Sequence, residues 1–175
     1  MLTPWRFTAP CLLVVLLCLG TPVARAAAPS AEQTFEHMRG LVGTWSAPVS
    51  EGKEIRVSYR LVSGNSTLVE TYTLPSGRET LTLYHLDGRR LLATHYCAQG
   101  NQPRLRLASD SHATRWVFTF VDVTNLKTPR ASHLHRLEMT LDDADHFTKV
   151  ETYRSNGKDE VETLRFTRVK APTGT

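Results

Sequence analysis

The chain has 175 residues, with 21 Lys and Arg against 17 Asp and Glu and a formal charge of +4. The charges are interspersed and form no basic block, which excludes the electrostatic footprint of a nucleic-acid-binding protein. Three cysteines and no repeat or low-complexity tract argue against a disulfide scaffold or a solenoid.

The N-terminus reads as a targeting segment. Arg6 precedes the apolar run Leu12 to Leu19, which is shorter than the about 20 residues a membrane-spanning helix needs. Gly20 and Pro22 follow, and Ala24-Arg25-Ala26 has the small-x-small form of a cleavage site. A signal peptide over 1–26, cut after Ala26, is expected, with delivery to the periplasm or outside the cell and no integral membrane segment in the mature protein. Removing 26 of 175 residues leaves 149, with 19 basic and 17 acidic side chains. Cys11 and Cys18 leave with the signal, so Cys97 has no internal partner and the core alone must hold the domain.

A short helix is expected in 27–42, packing on one end of the domain. Ser30-Ala31-Glu32-Gln33 has the form of a capping box, Phe35, Met38 and Val42 share a face, and Gly40 is placed as a left-handed helix stop. From Gly43 onward the period is two. Ile55, Val57, Tyr59 and Leu61 alternate with polar residues, and Glu70 falls on the face of Leu68, Tyr72 and Leu74. Trp116, Phe118 and Phe120 share a face, as do Leu137, Met139 and Leu141. Turn chemistry at 63–65, 75–77, 87–88, 100–101, 142–143 and 155–157 separates about ten strands: 44–49, 53–62, 66–74, 78–86, 89–98, 103–109, 114–122, 133–141, 146–154 and 160–169. With short links and no crossover helix, the fold class is all-β: an antiparallel up-and-down barrel over 43–169, favoured over a Greek-key sandwich. The stretch 122–132 is long enough to arch over the sheet, and 170–175 is expected to be a disordered tail.

Gly43-Thr44-Trp45 directly after a helix resembles the opening of a calycin barrel, the group that contains the lipocalins. The resemblance implies that Trp45 packs at the closed end under a basic residue of the last strand, Arg165 or Arg168. A further resemblance covers most of the mature chain. Leu83-Tyr84-His85-Leu86-Asp87-Gly88, Thr94-His95-Tyr96-Cys97 and Gly100-Asn101-Gln102-Pro103-Arg104 are similar to a family of exported bacterial lipocalin-like proteins of unknown function. Nitrobindin-like barrels, a weaker likeness, bind haem through a histidine near the C-terminal strand. Here that strand runs Glu162 to Arg168 without one, so haem would need another ligand.

Several side chains are candidates for chemistry. His95 and Cys97 point to one face of a strand, and the following turn brings Asn101, Gln102 and Arg104 near; the set can grip a polar ligand, or form a plain turn beside a buried thiol. Glu70 inside a barrel must be paired, hydrated or protonated; a structural bridge to an inward arginine is favoured over a role toward ligand. His85 lies on the face away from His95 if the 87–88 turn has two residues, and on the same face if it has three. His133 and His135 share one face of a strand as metal ligands would, but Glu138 falls on the other. No nucleophile elbow, phosphate loop or dinucleotide fingerprint occurs.

The reading of function is an exported barrel that holds a small, partly apolar ligand without catalysis. Its cavity would be lined by Tyr59, Tyr72, Trp116, Phe118, Met139 and Tyr153, with the ligand oriented by Glu70, His95 and Arg104. No cofactor is expected. One alternative is a haem or zinc barrel, or an enzyme, using His95 and Cys97 or His133 and His135. Another is a structural or interaction module of the envelope. The oligomeric state is not legible.

Overall fold

The computed structural model describes residues 28–170; the expected signal peptide lies outside them, as does almost all of the expected tail. A helix α1 (Ala31–Met38) and a short 3-10 turn (Arg39–Leu41) lead into ten strands: β1 (Gly43–Ser50), β2 (Lys53–Val62), β3 (Thr67–Thr73), β4 (Glu79–Asp87) and β5 (Arg90–Tyr96), then β6 (Gln102–Leu107), β7 (Arg115–Thr124), β8 (His133–Leu141), β9 (His146–Ser155) and β10 (Lys158–Arg168). Each strand pairs antiparallel with its sequence neighbours, and β10 returns to β1, so the sheet closes into a barrel. Closure removes the free edges that would otherwise template aggregation.

Local sequence explains the elements. Ser30 caps α1: its Oγ accepts the Gln33 N–H, and the Gln33 side chain accepts the Ser30 N–H at 2.9 Å. Thr34, Phe35 and Met38 are buried on the face turned to β4 and β5. Gly40 does not stop the helix in a left-handed conformation, contrary to the sequence reading; the chain tightens into the 3-10 turn instead, and Gly43 takes the positive φ, +128°. That glycine is needed twice over, because a side chain there would meet the Arg168 guanidinium at 3.1 Å. At the β9–β10 hairpin, Asn156 and Gly157 have φ of 51° and 76° and link Ser155 to Lys158, as a mirror-image two-residue turn requires.

The β4–β5 register pairs Asp87 with Arg90 across a two-residue loop, Gly88-Arg89. His85 therefore lies opposite Leu92, on the face away from His95, whose partner is Thr82.

One end of the barrel is shut. Arg168 stands over the Trp45 ring at 3.9 Å and donates to the carbonyls of Gly40 at 2.9 Å and Val42 at 3.0 Å. The Trp45 indole N–H donates to the Leu41 carbonyl at 2.7 Å. Of the two arginines that the calycin resemblance offered, Arg168 fills the place, while Arg165 is exposed. Phe147 meets Trp45 edge-on and stacks on Phe166 at 4.9 Å, filling this end with rings.

The seam loosens toward the other end. Among the described residues β1 and β10 pair only through Trp45 with Arg168 and Ser46 with Thr167. Beyond Ser46, β1 carries Pro48, which has no N–H to give a ladder.

Candidate functional site

The barrel interior is not hollow along its length. Tyr59, Trp116, Phe118 and Met139 are almost fully buried in packed core. Within the same interior, one row of cross-strand partners runs Tyr59, Glu70, Thr82, His95 over four strands. All four point inward and all are buried. From the opposite wall Lys149 reaches across to meet them.

This is a satisfied ionic network. Glu70, 1% exposed, accepts from the Tyr59 hydroxyl at 3.0 Å and the Tyr84 hydroxyl at 2.8 Å, and its other oxygen binds the Lys149 ammonium. Lys149, 2% exposed, also binds Glu151 at 2.9 Å and lies 4.7 Å from the centre of the Tyr72 ring. Burial pushes the Glu70 carboxyl up, but the Lys149 charge, its hydrogen bond and the Tyr84 hydroxyl reverse this and hold the group below its usual value. Burial likewise works against the Lys149 ammonium, and the Glu151 and Glu70 carboxylates more than offset it, leaving the lysine firmly protonated. The ionic partner of Glu70 is thus a lysine from β9, not the arginine expected from the sequence.

His95 is fixed beside the network. Its Nδ1 lies 3.0 Å from the Thr82 hydroxyl and its Nε2 3.5 Å from the Tyr153 hydroxyl. Burial holds its pKa below 6.5, the Glu151 charge opposing and the Lys149 charge assisting, so the imidazole is neutral at pH 7.

Above the network, the open end holds a cleft of about 210 Å³ lined by Tyr72, Leu74, Arg78, Thr80, Cys97, Ala98, Gln99, Glu151, Tyr153 and Glu162. Its floor is the top of the ionic network, through Glu151 and Tyr72. Glu151 and Glu162 are direct cross-strand partners on β9 and β10. Partial burial, then the facing Glu151 charge, pushes the Glu162 carboxyl up, with Lys149 opposing. Burial also pushes the Cys97 thiol up, which makes it a poor thiolate at neutral pH.

Of the side chains singled out from the sequence, Tyr72, Cys97 and Tyr153 border the cleft, and Glu70 and His95 lie just beneath. Tyr59 and Trp116 sit in the packed interior; the Trp116 indole donates to the Ala113 carbonyl at 3.3 Å. Asn101 is buried and donates to the Ser132 carbonyl at 2.9 Å, tying the β5–β6 turn to the 125–132 loop. Gln102 bonds Gly100 and Thr124. Arg104 points outward and makes a two-pronged pair with Asp122, so it stands apart from the cleft.

His133 and His135 flank the Phe120 ring, each with centroids 5.0 Å from it. A bulge between Leu134 and Arg136 displaces His135 from the regular alternation, and Glu138 is held by Arg115 at 2.6 Å. Among the described residues no group of three or more His, Cys, Asp or Glu is arranged to hold a metal. A shallower depression of about 490 Å³ lies outside the barrel between His133, Arg130 and Arg154. Arg154 is already engaged by Asp159 at 2.7 Å, and His133 Nδ1 by the Ala131 carbonyl at 3.0 Å.

Lys149, Glu151, Tyr84 and Glu162 were not picked out as site residues. For Lys149 and Glu151 the signal is the parity of β9: Phe147, Lys149, Glu151 and Tyr153 share a face, and Phe147 is an obvious core residue.

The fold and cleft define a closed ten-stranded antiparallel barrel with one blocked and one open end, an architecture consistent with lipocalin-like barrels. No family model matches the chain, and no curated protein matches it.

Proposed function

We propose that the protein is an exported, lipocalin-like binding barrel that takes a small molecule into its open end and performs no catalysis. The observation that carries this reading is the cleft of about 210 Å³, set over a buried polar floor at the open end. A depression of that kind is built at a structural cost. Two carboxylates and a lysine are taken out of water to form its floor, where apolar packing would stabilise the barrel at least as well.

The size of the cleft restricts the ligand. Pockets for drug-sized molecules run to about 300–1,000 Å³, so this one suits something smaller. Because aromatic core fills the closed half, the ligand sits at the mouth. It meets polar atoms at the floor and the apolar surfaces of Tyr153 and Leu74 at the wall. Export follows from the cleavage signal at Ala24 to Ala26. Calycin membership is supported by Gly43-Thr44-Trp45 and by the placement of Arg168 over Trp45.

Native mass spectrometry of the protein isolated from its own cell envelope tests both parts. The expected spectrum shows a chain starting at Ala27 carrying a small adduct that is lost on mild activation. A chain retaining residues 1–26 would refute export, and a protein that is ligand-free and binds no small molecule added back would refute the carrier role.

A further inference from the structure

The chemistry of the cleft specifies more than its size. Besides the exposed Arg78 on its rim, its unfilled hydrogen-bonding groups include two carboxylates and a phenol. Glu151 is 8% exposed and uses one carboxylate oxygen on Lys149; the other has no partner among the described residues. Tyr72, 7% exposed, borders the cleft. Unlike Tyr59 and Tyr84, which both donate to Glu70, it makes no side-chain hydrogen bond among the described residues. Its hydroxyl oxygen is not fully enclosed and keeps access to the cleft. Glu162 faces Glu151 across the ladder and makes no ion pair among the described residues.

The charge count agrees. Glu70 and Lys149 cancel within the network, and His95 is neutral. Glu151 and Glu162 remain against the one charge of Arg78, with Glu162 and Arg78 both exposed at the rim and Glu151 buried below them. Two like charges directly opposed on a sheet destabilise it. A cation seated between them relieves that repulsion and donates to the vacant oxygens. A metal ion fits less well, because no group of three or more suitable ligands converges among the described residues.

We propose that the cleft is a binding site for a small organic cation, a primary ammonium with a short apolar tail, held by Glu151, Glu162 and the Tyr72 hydroxyl. The ammonium head has three donors and no acceptor, which matches the vacant carboxylate oxygens and the phenol. The tail lies along Leu74 and the Tyr153 ring. This deepens the binding-barrel reading and rests on it.

Calorimetric titration of the mature protein with three matched probes, n-butylammonium, n-butanol and butyrate, tests the proposal. The expected result is binding of n-butylammonium alone. Glu162→Gln, on an exposed residue whose loss leaves the fold intact, should weaken it about tenfold, the effect of removing one charge-assisted contact. Tyr72→Phe should weaken it by a smaller factor, and Arg104→Ala, on the outer wall, should leave it unchanged. If n-butanol or butyrate binds as tightly as n-butylammonium, the cleft is a binding site but its cation preference is overturned. If calcium binds and displaces n-butylammonium, the site is a metal site and the proposal fails. If none of the probes binds, and the native protein carries no adduct, the barrel reading fails with it.

Discussion

Lys149→Met isolates the energetics of the buried network. Methionine keeps most of the unbranched stem and removes the ammonium that binds Glu70 and Glu151. Glu70 keeps the Tyr59 and Tyr84 hydroxyls. Both carboxylates lose their counter-charge at a position shielded from water. Removing one partner of a buried pair costs about 3–5 kcal/mol, a large share of the roughly 5–15 kcal/mol that holds a domain folded.

The pH dependence gives the signature. In the native protein the folded pKa of Glu70 is below its ordinary 4.5, so its contribution to stability is present above that value and is lost as pH falls through the folded pKa. In the variant, burial acts without the lysine and should raise the folded pKa of Glu70 relative to the native protein, above its ordinary value. The folded state then binds the extra proton, and stability falls as pH rises. The deficit of the variant should therefore widen between about pH 4 and pH 7. Urea unfolding followed by the fluorescence of the buried Trp45 and Trp116 measures it. Adding Glu70→Gln should recover part of the loss. A single-variant cost under about 1 kcal/mol at neutral pH, or a deficit that does not change with pH, would refute the network as described.

Arg168→Ala should cost about 2–4 kcal/mol, from the cation–π contact with Trp45 and the charged hydrogen bonds to Gly40 and Val42, with Arg168→Lys recovering part; thermal melts read both. In an NMR titration the His95 ring should still be largely neutral at pH 6.5. Because its folded pKa is depressed, its contribution to stability is lost as pH falls through 6.5. Cys97 should react with iodoacetamide at pH 7 more slowly than a free thiol, since burial raises it above its ordinary 9.0; mass spectrometry over time reads this.

The barrel was legible in the sequence because its signals are local. The capping box, the Gly43-Thr44-Trp45 start and the turn residues each act within a few positions, and short links between ten strands leave few topologies. The interior of β9 was harder to read, because Lys149 and Glu151 point inward while Val150 points outward, the reverse of the hydrophobic rule. Only the pairing of Glu70 with a lysine far along the chain makes that pattern stable. Arg104 follows strict alternation, exposed between the buried Pro103 and Leu105, so its outward turn to Asp122 and its separation from the cleft were legible in the period of β6. The bulge at His135 on β8 is a displacement that strict alternation does not encode.

The central claim is that ligand is held at the open mouth above a filled interior. Amide and indole NMR shifts, followed as small ammonium, hydroxyl and carboxylate fragments are added, test it most directly. Shifts should gather on 72–80, 97–99 and 151–162, with the indole signals of Trp45 and Trp116 unmoved. Shifts centred on Trp116, Phe118 and Met139 would contradict it, by placing the guest inside a core that has no room for one.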